Sequence, residues 1–554
     1  MDDSKNKNSW SETFIKHANN KFILIKYGIF LLFVLATLRL SYLVFIGMAT
    51  NHTNFNVAKN YEQKHDILDR NGNVLALSVP SVSVYLNPKE IKDSEKAIKA
   101  ISDSLGISEK IATKLVLSNS PFVWVKRNIT KEEELNLKYY GVLGINFEKE
   151  QKRYYPYNNL FSHIVGITNI DGNGVSGVEN SFNEELKRKN ITLSLDLKIQ
   201  SILREALLKA KENNQAKGAY GMVVDPKTFE VLAMVSLPDF NPNDRANINI
   251  ADMFNYPTQG VFETGSIAKV FTVAMALNNG GQTLDKSYDV SKPIVKDNFV
   301  IVDYSYMNRS LLLPEILIHS SNIGTSLLMQ EFGVENQKEQ LEKFGLFNKP
   351  PLEIYEKESS LLPNKWTELS SMTISYGYGM AISQATFITT FSAIINGGII
   401  KPLTIIKRKE NEHPKETRII SEKVSKDIRG SLRLTVAMGS AKRADVPGYS
   451  VAGKTGSAEK LEKGKYNHNK VIASFVGFFP AYNPRYVILI SIDEPKRLAH
   501  NNYNITGGAL STPVFADIVE KIGITYGIPK IDDHINRNSN IIEFIRNMPD
   551  LEIE

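Results

Sequence analysis

The run Val270-Phe271-Thr272-Val273-Ala274-Met275-Ala276-Leu277 constrains this chain most. It predicts a helix that is apolar almost all round, and such a helix is stable only inside a protein. The stretch Phe262 to Lys269 leads into it through Gly265, and Asn278-Asn279-Gly280-Gly281 ends it. The tetrad Ser266-Ile267-Ala268-Lys269 therefore opens a buried helix. Unpaired N–H groups and the positive end of the helix dipole stabilise negative charge there. Lys269 follows Ser266 by one turn, so the two side chains share a face. A serine becomes a nucleophile when a neighbour takes its proton. A lysine made neutral by burial or by a second cation can be that neighbour. Taken alone the tetrad is weak, because a capping serine and a solvated lysine have the same spacing.

Composition narrows the classes. The 554 residues leave room for two to four domains. Hydrophobic content of 42% and charged content of 23% are those of a globular protein. With no cysteine, disulfides, thiol catalysis and cysteine metal sites are excluded. The nine histidines form no H-E-x-x-H or similar pattern, so no metal and no cofactor are expected. The net charge of +6 is modest, and no basic run with interleaved aromatics suggests a nucleic-acid partner.

Residues 1–21 are polar and carry Lys5, Lys7, Lys16 and Lys21. The apolar segment 22–48 follows, interrupted by Lys26 and Arg39. A spanning helix needs about 20 apolar residues, which Tyr27 to Met48 supplies. The lysine flank predicts a cytoplasmic N-terminus and a single pass, with the remainder outside. Gly47-Met48-Ala49 offers the alternative of a cleaved signal peptide, but the segment exceeds the roughly 7–15 apolar residues of such a signal. Arg39 either snorkels to the headgroups or meets a partner membrane helix.

A mixed α/β domain is expected over 49–190. Asn71-Gly72 is a hairpin signal, and Val82, Val84 and Leu86 alternate as a half-buried strand does. Residues Glu95 to Leu117 read as helical and Phe122-Val123-Trp124-Val125 as a strand. Arg153-Tyr154-Tyr155-Pro156 and Gly174 to Glu179 read as turn-rich. No catalytic residues gather there, which suits a pedestal or docking role.

A second domain is expected over 191–530. Helix Leu197 to Ala210 leads to the strands Ala219 to Val224 and Val231 to Val235, apolar on both sides like a central hairpin in a covered sheet. Late strands are expected near Tyr449 to Ala452, Ile472 to Val476 and Val487 to Ile490, and a closing helix from Pro513. Strands, then helices, then strands fit an α+β fold, an antiparallel sheet covered by helices with an all-helical subdomain. The tail 531–554 is polar except for a short amphipathic helix near Asn540 to Asn547, which packs on its own domain or binds a partner.

Two further motifs follow the serine tetrad. One is Ser320-Ser321-Asn322, the other Lys454-Thr455-Gly456-Ser457. Each is weak alone, but S-x-x-K, S-x-N and K-T-G in this order, with domain-scale gaps, form a specific set. The chain resembles the class B penicillin-binding proteins, peptidoglycan D,D-transpeptidases, from the apolar segment nearly to the C-terminus. Asp69-Arg70-Asn71-Gly72, Gly177-Val178-Glu179, Asp225-Pro226 and Ser474-Phe475-Val476-Gly477-Phe478 also resemble markers of that family. Ser320 to Gly324 and Val451 to Gly456 look most like the division (septal) branch, with the elongation branch a close competitor. Departures are Thr264 where proline is usual, Ser457 where threonine is common, Phe229 in place of a turn glycine, and Lys64-His65 in place of an Arg-Gly pair.

The resemblance implies Ser266 as nucleophile and Lys269 as general base, with Lys454 as the nearby cation. It implies Ser320 as proton relay and Asn322 as a hydrogen-bonding partner of Lys269 and substrate. Thr455 and Ser457 would bind the substrate carboxylate, Gly456 would let the strand edge approach it, and the backbone N–H groups of Ser266 and Ser457 would form the oxyanion hole. The implied partners are peptidoglycan stem peptides, β-lactams as inhibitors, and a membrane-embedded glycan polymerase with division proteins, met through the membrane helix and pedestal. His319 beside Ser320 reads as structural, and Gly377 and Gly379 read equally as cleft-shaping or ordinary turn residues. A β-lactamase, a membrane drug sensor and a non-catalytic division scaffold are the competing classes.

Overall fold

The computed structural model describes residues 28–41 and 64–551, other than 280, 532, 534 and 536–539. Residues 28–41 form helix α1, whose Ile29, Phe30, Leu31, Leu32 and Phe33 are exposed. Among the described residues no helix is long and apolar enough to cross a membrane. The span expected over 22–48 extends outside the described residues at both ends, and Gly47-Met48-Ala49 lies wholly outside them.

The N-terminal sheet starts with β1 (Ile67–Leu68), which turns through Asn71-Gly72 into β2 (Val74–Leu86). Asp69 holds this turn: its carboxylate accepts from the N–H groups of Asn71 at 2.9 Å and Asn73 at 2.8 Å. β2 pairs with β3 (Val123–Ile129) and β4 (Ile145–Tyr154), and β5 (Ile191–Thr192) runs parallel to β1. The helix expected over Glu95 to Leu117 is two helices, α2 (Ser94–Leu105) and α3 (Glu109–Val116). Gly106, at φ 65°, caps the first in the left-handed conformation that few other residues tolerate. α4 (Lys131–Tyr140) opens with a Thr130/Glu133 capping box. Arg153 and Tyr154, expected in a turn, instead finish β4 opposite Ser78 and Leu77.

Arg153 and Lys64 enclose Glu179. Its two carboxylate oxygens accept from Arg153 Nε at 2.6 Å and Lys64 Nζ at 3.1 Å, and all three residues are buried. Lys64 thus supplies the positive charge at the position where the family's pattern has arginine.

The second sheet has five antiparallel strands: β6 (Gly218–Val224), β7 (Val231–Leu237), β8 (Ala452–Glu462), β9 (Lys465–Phe479) and β10 (Tyr486–Asp493). Their order is β8-β9-β10-β6-β7, so β8 is an edge. The strand predicted near Tyr449 to Ala452 begins only at Ala452. The helices that frame the site are α5 (Leu197–Asn213), α6 (Lys269–Asn279), α7 (Asn322–Phe332), α8 (Gln384–Ile395), α9 (Glu422–Ala437) and α10 (Gly507–Thr525). Strand alternation explains why the sheet is apolar on both faces. Met222, Val476 and Leu489 join one core with Val270, Phe387 and Phe391. Val223, Phe475 and Ile488 join the other with Leu203, Leu207 and Phe515.

The subdomain expected to be all-helical also holds two short antiparallel pairs, Ser287–Asp289 with Ser310–Leu312 and Ile294–Lys296 with Phe299–Ile301. The closing helix starts at Gly507, ahead of Pro513, which lies inside it. Proline has no N–H to give the carbonyl four residues back; that carbonyl, of Ala509, accepts from Arg443 Nη1 at 2.8 Å. The tail helix α11 (Ile541–Arg546) packs on its own domain: Ile545 is buried, and the Pro549 carbonyl accepts from Arg429 Nη2 of α9 at 3.0 Å.

Phe229 takes φ 59° with its ring fully buried. The left-handed backbone costs about 1–2 kcal/mol. Burying the ring returns about 1.5–3 kcal/mol, so the residue that departs from the family's glycine is retained at little net cost.

The buried triad yields a stability prediction. Glu179→Ala leaves two buried cations without their counter-charge and should destabilise the protein by about 3–5 kcal/mol. A lower denaturant midpoint at unchanged slope would report it.

Candidate active site

Ser266 lies on a 3-10 turn, Gly265–Ala268, that runs directly into α6 at Lys269. Its side chain is partly exposed, whereas Lys269 is fully buried. Two glycines make the turn possible. Gly265 has φ 55° and donates its N–H to the Gly377 carbonyl at 3.1 Å. A Cβ on Gly377, itself at φ 96°, would lie 2.0 Å from the Gly265 carbonyl oxygen. Gly377 is therefore packed directly beneath the serine turn, whereas Gly379 donates its N–H to Glu263 at 2.6 Å.

Lys269 Nζ is 2.6 Å from Ser266 Oγ and 3.3 Å from Ser320 Oγ, and it donates to Asn322 Oδ1 at 2.7 Å. Ser320 comes from the junction before α7. Its φ of 60° is a left-handed value that costs a non-glycine residue about 1–3 kcal/mol. That conformation sets its hydroxyl between two lysines, for Lys454 Nζ donates to Ser320 Oγ at 2.9 Å. Lys454 is fully buried and also donates to the Thr455 carbonyl at 3.1 Å.

Burial, and then the charge of Lys454, push the Lys269 ammonium well below its ordinary range; Asp303 pulls the other way. Burial pushes Lys454 down to about 7.

The remaining predicted residues lie on the edge strand β8. Thr455 Oγ1 is 3.4 Å from Ser440 Oγ, and Ser457 Oγ accepts from the Gly507 N–H at 3.0 Å. The backbone of Ser457 abuts the serine turn: a Cβ on Gly265 would lie 2.6 Å from its carbonyl oxygen and 3.3 Å from its nitrogen. A Cβ on Gly456 would lie 2.9 Å from the Thr264 carbonyl. Ser266, Lys269, Ser320, Asn322 and Lys454 thus form one connected constellation, with Thr455, Gly456 and Ser457 along its edge-strand wall. His319 stands apart, its ring 3.9 Å from Glu315 and its pKa lowered by burial.

Sequence reasoning missed several groups. Asp303 accepts from Ser321 Oγ at 2.7 Å and from the Ile323 N–H at 3.0 Å. The Val302 carbonyl accepts from Asn322 Nδ2 at 2.8 Å. Glu263, just before the serine turn, accepts from Tyr466 OH at 3.0 Å, and Tyr466 meets Tyr378 edge to face at 5.1 Å. None of these sits in a spaced motif: Val302 and Asp303 lie on a loop, Glu263 ends the short strand Phe262–Glu263, and Tyr466 lies on β9.

Comparison with known proteins gives the family. The penicillin binding protein transpeptidase domain matches residues 219–520, and the penicillin-binding protein dimerisation domain matches residues 64–192. The chain belongs to the class B penicillin-binding protein transpeptidase family. It is 32% identical over 481 residues to a probable peptidoglycan D,D-transpeptidase FtsI of Caulobacter vibrioides, covering 84% of this chain and 82% of that protein. Against peptidoglycan D,D-transpeptidase FtsI of Escherichia coli it is 30% identical, covering 82% of each. Among solved structures it is similar to penicillin binding protein 3 of Mycobacterium tuberculosis complexed with aztreonam. The TM-score is 0.67 and the identity 23%, over 86% of this chain and 99% of that one. At that identity the likeness speaks for the fold, a dimerisation domain followed by an α+β transpeptidase domain with an antiparallel sheet.

The close approach of Gly377 to Gly265 makes this penicillin-binding protein sensitive at a position outside its motifs. Gly377→Ala must push the serine turn away. A displacement near 1 Å costs about a hundredfold in rate, so covalent labelling by a β-lactam should slow by that order while circular dichroism stays native.

Proposed function

We propose that this chain is a serine D,D-transpeptidase that cross-links peptidoglycan stem peptides, acting in septal wall synthesis. The observation that carries the reading is the buried lysine, Lys269, 2.6 Å from a partly exposed serine hydroxyl, with a second buried lysine beyond Ser320. FtsI proteins among the relatives support the septal assignment.

In this reading Ser266 Oγ attacks the carbonyl between the two terminal D-alanines of a stem peptide, and neutral Lys269 takes its proton. An ordinary lysine pKa of about 10.4 must fall by roughly three units for this at neutral pH. Full burial next to another cation is a sufficient cause. The oxyanion forms against the backbone N–H groups of Ser266 and Ser457, a pair of donors worth several kcal/mol. The proton passes through Ser320 to the departing D-alanine amine, leaving an acyl-enzyme on Ser266. An amine from a neighbouring stem then attacks the acyl carbon; Lys269 takes its proton and returns it to Ser266 as the cross-link is released. Asn322 steadies Lys269 and the substrate amide. The terminal carboxylate is held by Lys454 and by the Thr455 and Ser457 hydroxyls, with the peptide added along the edge strand β8 beside Gly456. β-Lactams, which mimic that peptide, acylate the same serine.

The finer organisation belongs to the same proposal. Residues 1–21 form a cytoplasmic tail, 22–48 a single membrane anchor, 49–190 the pedestal and 191–530 the transpeptidase domain outside the cytoplasmic membrane. The anchor and pedestal meet a membrane-embedded glycan polymerase and division proteins. The apolar run Tyr27 to Met48 and the lysines before it support the anchor.

Intact-mass spectrometry after exposure to benzylpenicillin tests the reading. A long-lived adduct on the unmodified protein, absent from Ser266→Ala, is expected. Rapid release of hydrolysed drug would make the protein a β-lactamase, and no adduct at all would favour a scaffold.

The second-order acylation constant should depend on pH through both lysines. It rises as Lys269 loses its proton, at a pH well below the ordinary lysine range, and falls as Lys454 loses its own near about 7. Replacing Lys454 with arginine, which does not deprotonate in this range, should remove the alkaline limb.

A further inference from the structure

Asn322 serves Lys269 through only one of its amide atoms. Its Nδ2 donates to the Val302 carbonyl at 2.8 Å, which leaves Oδ1 to accept from Lys269 Nζ at 2.7 Å. The amide is thereby held in one orientation by the loop that follows the Ile294–Ile301 hairpin. The neighbouring residue on that loop, Asp303, fastens the rest. Its carboxylate accepts from the N–H groups of Asn322 at 2.5 Å and Ile323 at 3.0 Å and from the Ser321 hydroxyl at 2.7 Å. The two N–H groups are first-turn donors of α7 that no intrahelical carbonyl can reach. Ser321, the N-cap, is itself held, since its hydroxyl also accepts from the Gly324 N–H at 2.8 Å.

We propose that Asp303 is a positioning residue for the Ser266–Lys269 pair, bolting Asn322 to the loop and setting a negative charge against that of Lys454. The inference rests on the transpeptidase reading, in which Lys269 is the general base. Two charged groups act on Lys269, Lys454 from β8 and Asp303 from the loop; its hydrogen-bonding neighbours Ser266, Ser320 and Asn322 are uncharged. Burial and Lys454 drive Lys269 towards the neutral amine, and Asp303 alone opposes them. The opposition has a use. A lysine stripped of all proton affinity would be neutral but too weak a base to take the serine proton, and general-base efficiency is greatest when the pKa lies near the working pH. Asp303 keeps Lys269 basic without touching it, and it does so while capping α7, so geometry and charge are set by one carboxylate.

The test compares Asp303→Asn and Asp303→Ala with the unmodified protein in benzylpenicillin acylation from acid to neutral pH, with thermal melts alongside. Asparagine keeps an acceptor oxygen but drops the charge. Its acid limb should move to lower pH by about one unit, the scale of a nearby opposite charge, and the protein should remain folded. Alanine removes the bolt as well, and its acylation should be roughly ten- to a hundredfold slower. A residue that merely capped a helix would lower the melting temperature and leave the limb in place. An unmoved limb in Asp303→Asn, or an Asp303→Ala protein that acylates at the unmodified rate, overturns the proposal. Failure of the unmodified protein to form any adduct would instead overturn the transpeptidase reading itself.

Discussion

The two lysines buried on either side of the Ser320 hydroxyl are what the rest of the catalytic domain is arranged to sustain. An ammonium withdrawn from water is costly unless it is paired or loses its charge. Here the nearest polar group shared by Lys269 and Lys454 is a neutral hydroxyl. The domain meets the cost by pushing the Lys269 pKa well down, towards the uncharged amine. Helix α6 draws Lys269 inside because its other faces are apolar and have nowhere else to go. Strand β8 brings Lys454 in from the opposite direction, pinned to β9 by the register Lys454 to Val476.

Polar joints carry the N-terminal domain against this core. Arg70 reaches Glu230 at 3.3 Å, Asn71 Nδ2 donates to Asp196 at 3.0 Å, and Lys407 Nζ donates to the Arg70 carbonyl at 3.0 Å. Asp69 accepts from the Leu197 N–H at 3.2 Å, so one aspartate serves both the hairpin turn and the start of α5. The Asp69-Arg70-Asn71-Gly72 marker thus acts as a staple between domains. Asp196 takes part from the other side, capping α5 and accepting from Tyr526 OH of the closing helix region at 2.5 Å.

Much of this was legible in the sequence. The Asn-Gly hairpin, the doubly apolar strand pair, the buried serine helix and the ordered trio of motifs each rest on local rules of turn chemistry, periodicity or spacing. The errors also have local causes. The pedestal helix breaks because Gly106 accepts a left-handed cap in the middle of a helical pattern, and the closing helix passes through Pro513 because Arg443 satisfies the carbonyl that proline leaves bare. Asp303, Glu263 and the Val302 carbonyl were invisible because they act across gaps of about twenty residues or more, and no periodicity connects them to the groups they hold.

The sequence by itself determined which functional groups are present, in what order, and on which local elements they ride, since those follow from side-chain identity and short-range backbone preference. Only the tertiary structure decided that both lysines are driven towards the uncharged amine, why Ser320 takes a strained backbone to stand between the two, and which way the Asn322 amide faces. Those outcomes depend on burial and on fields from residues distant in the chain, and neither exists until the sheet edge, the serine helix and the loop bearing Asp303 have closed on one another.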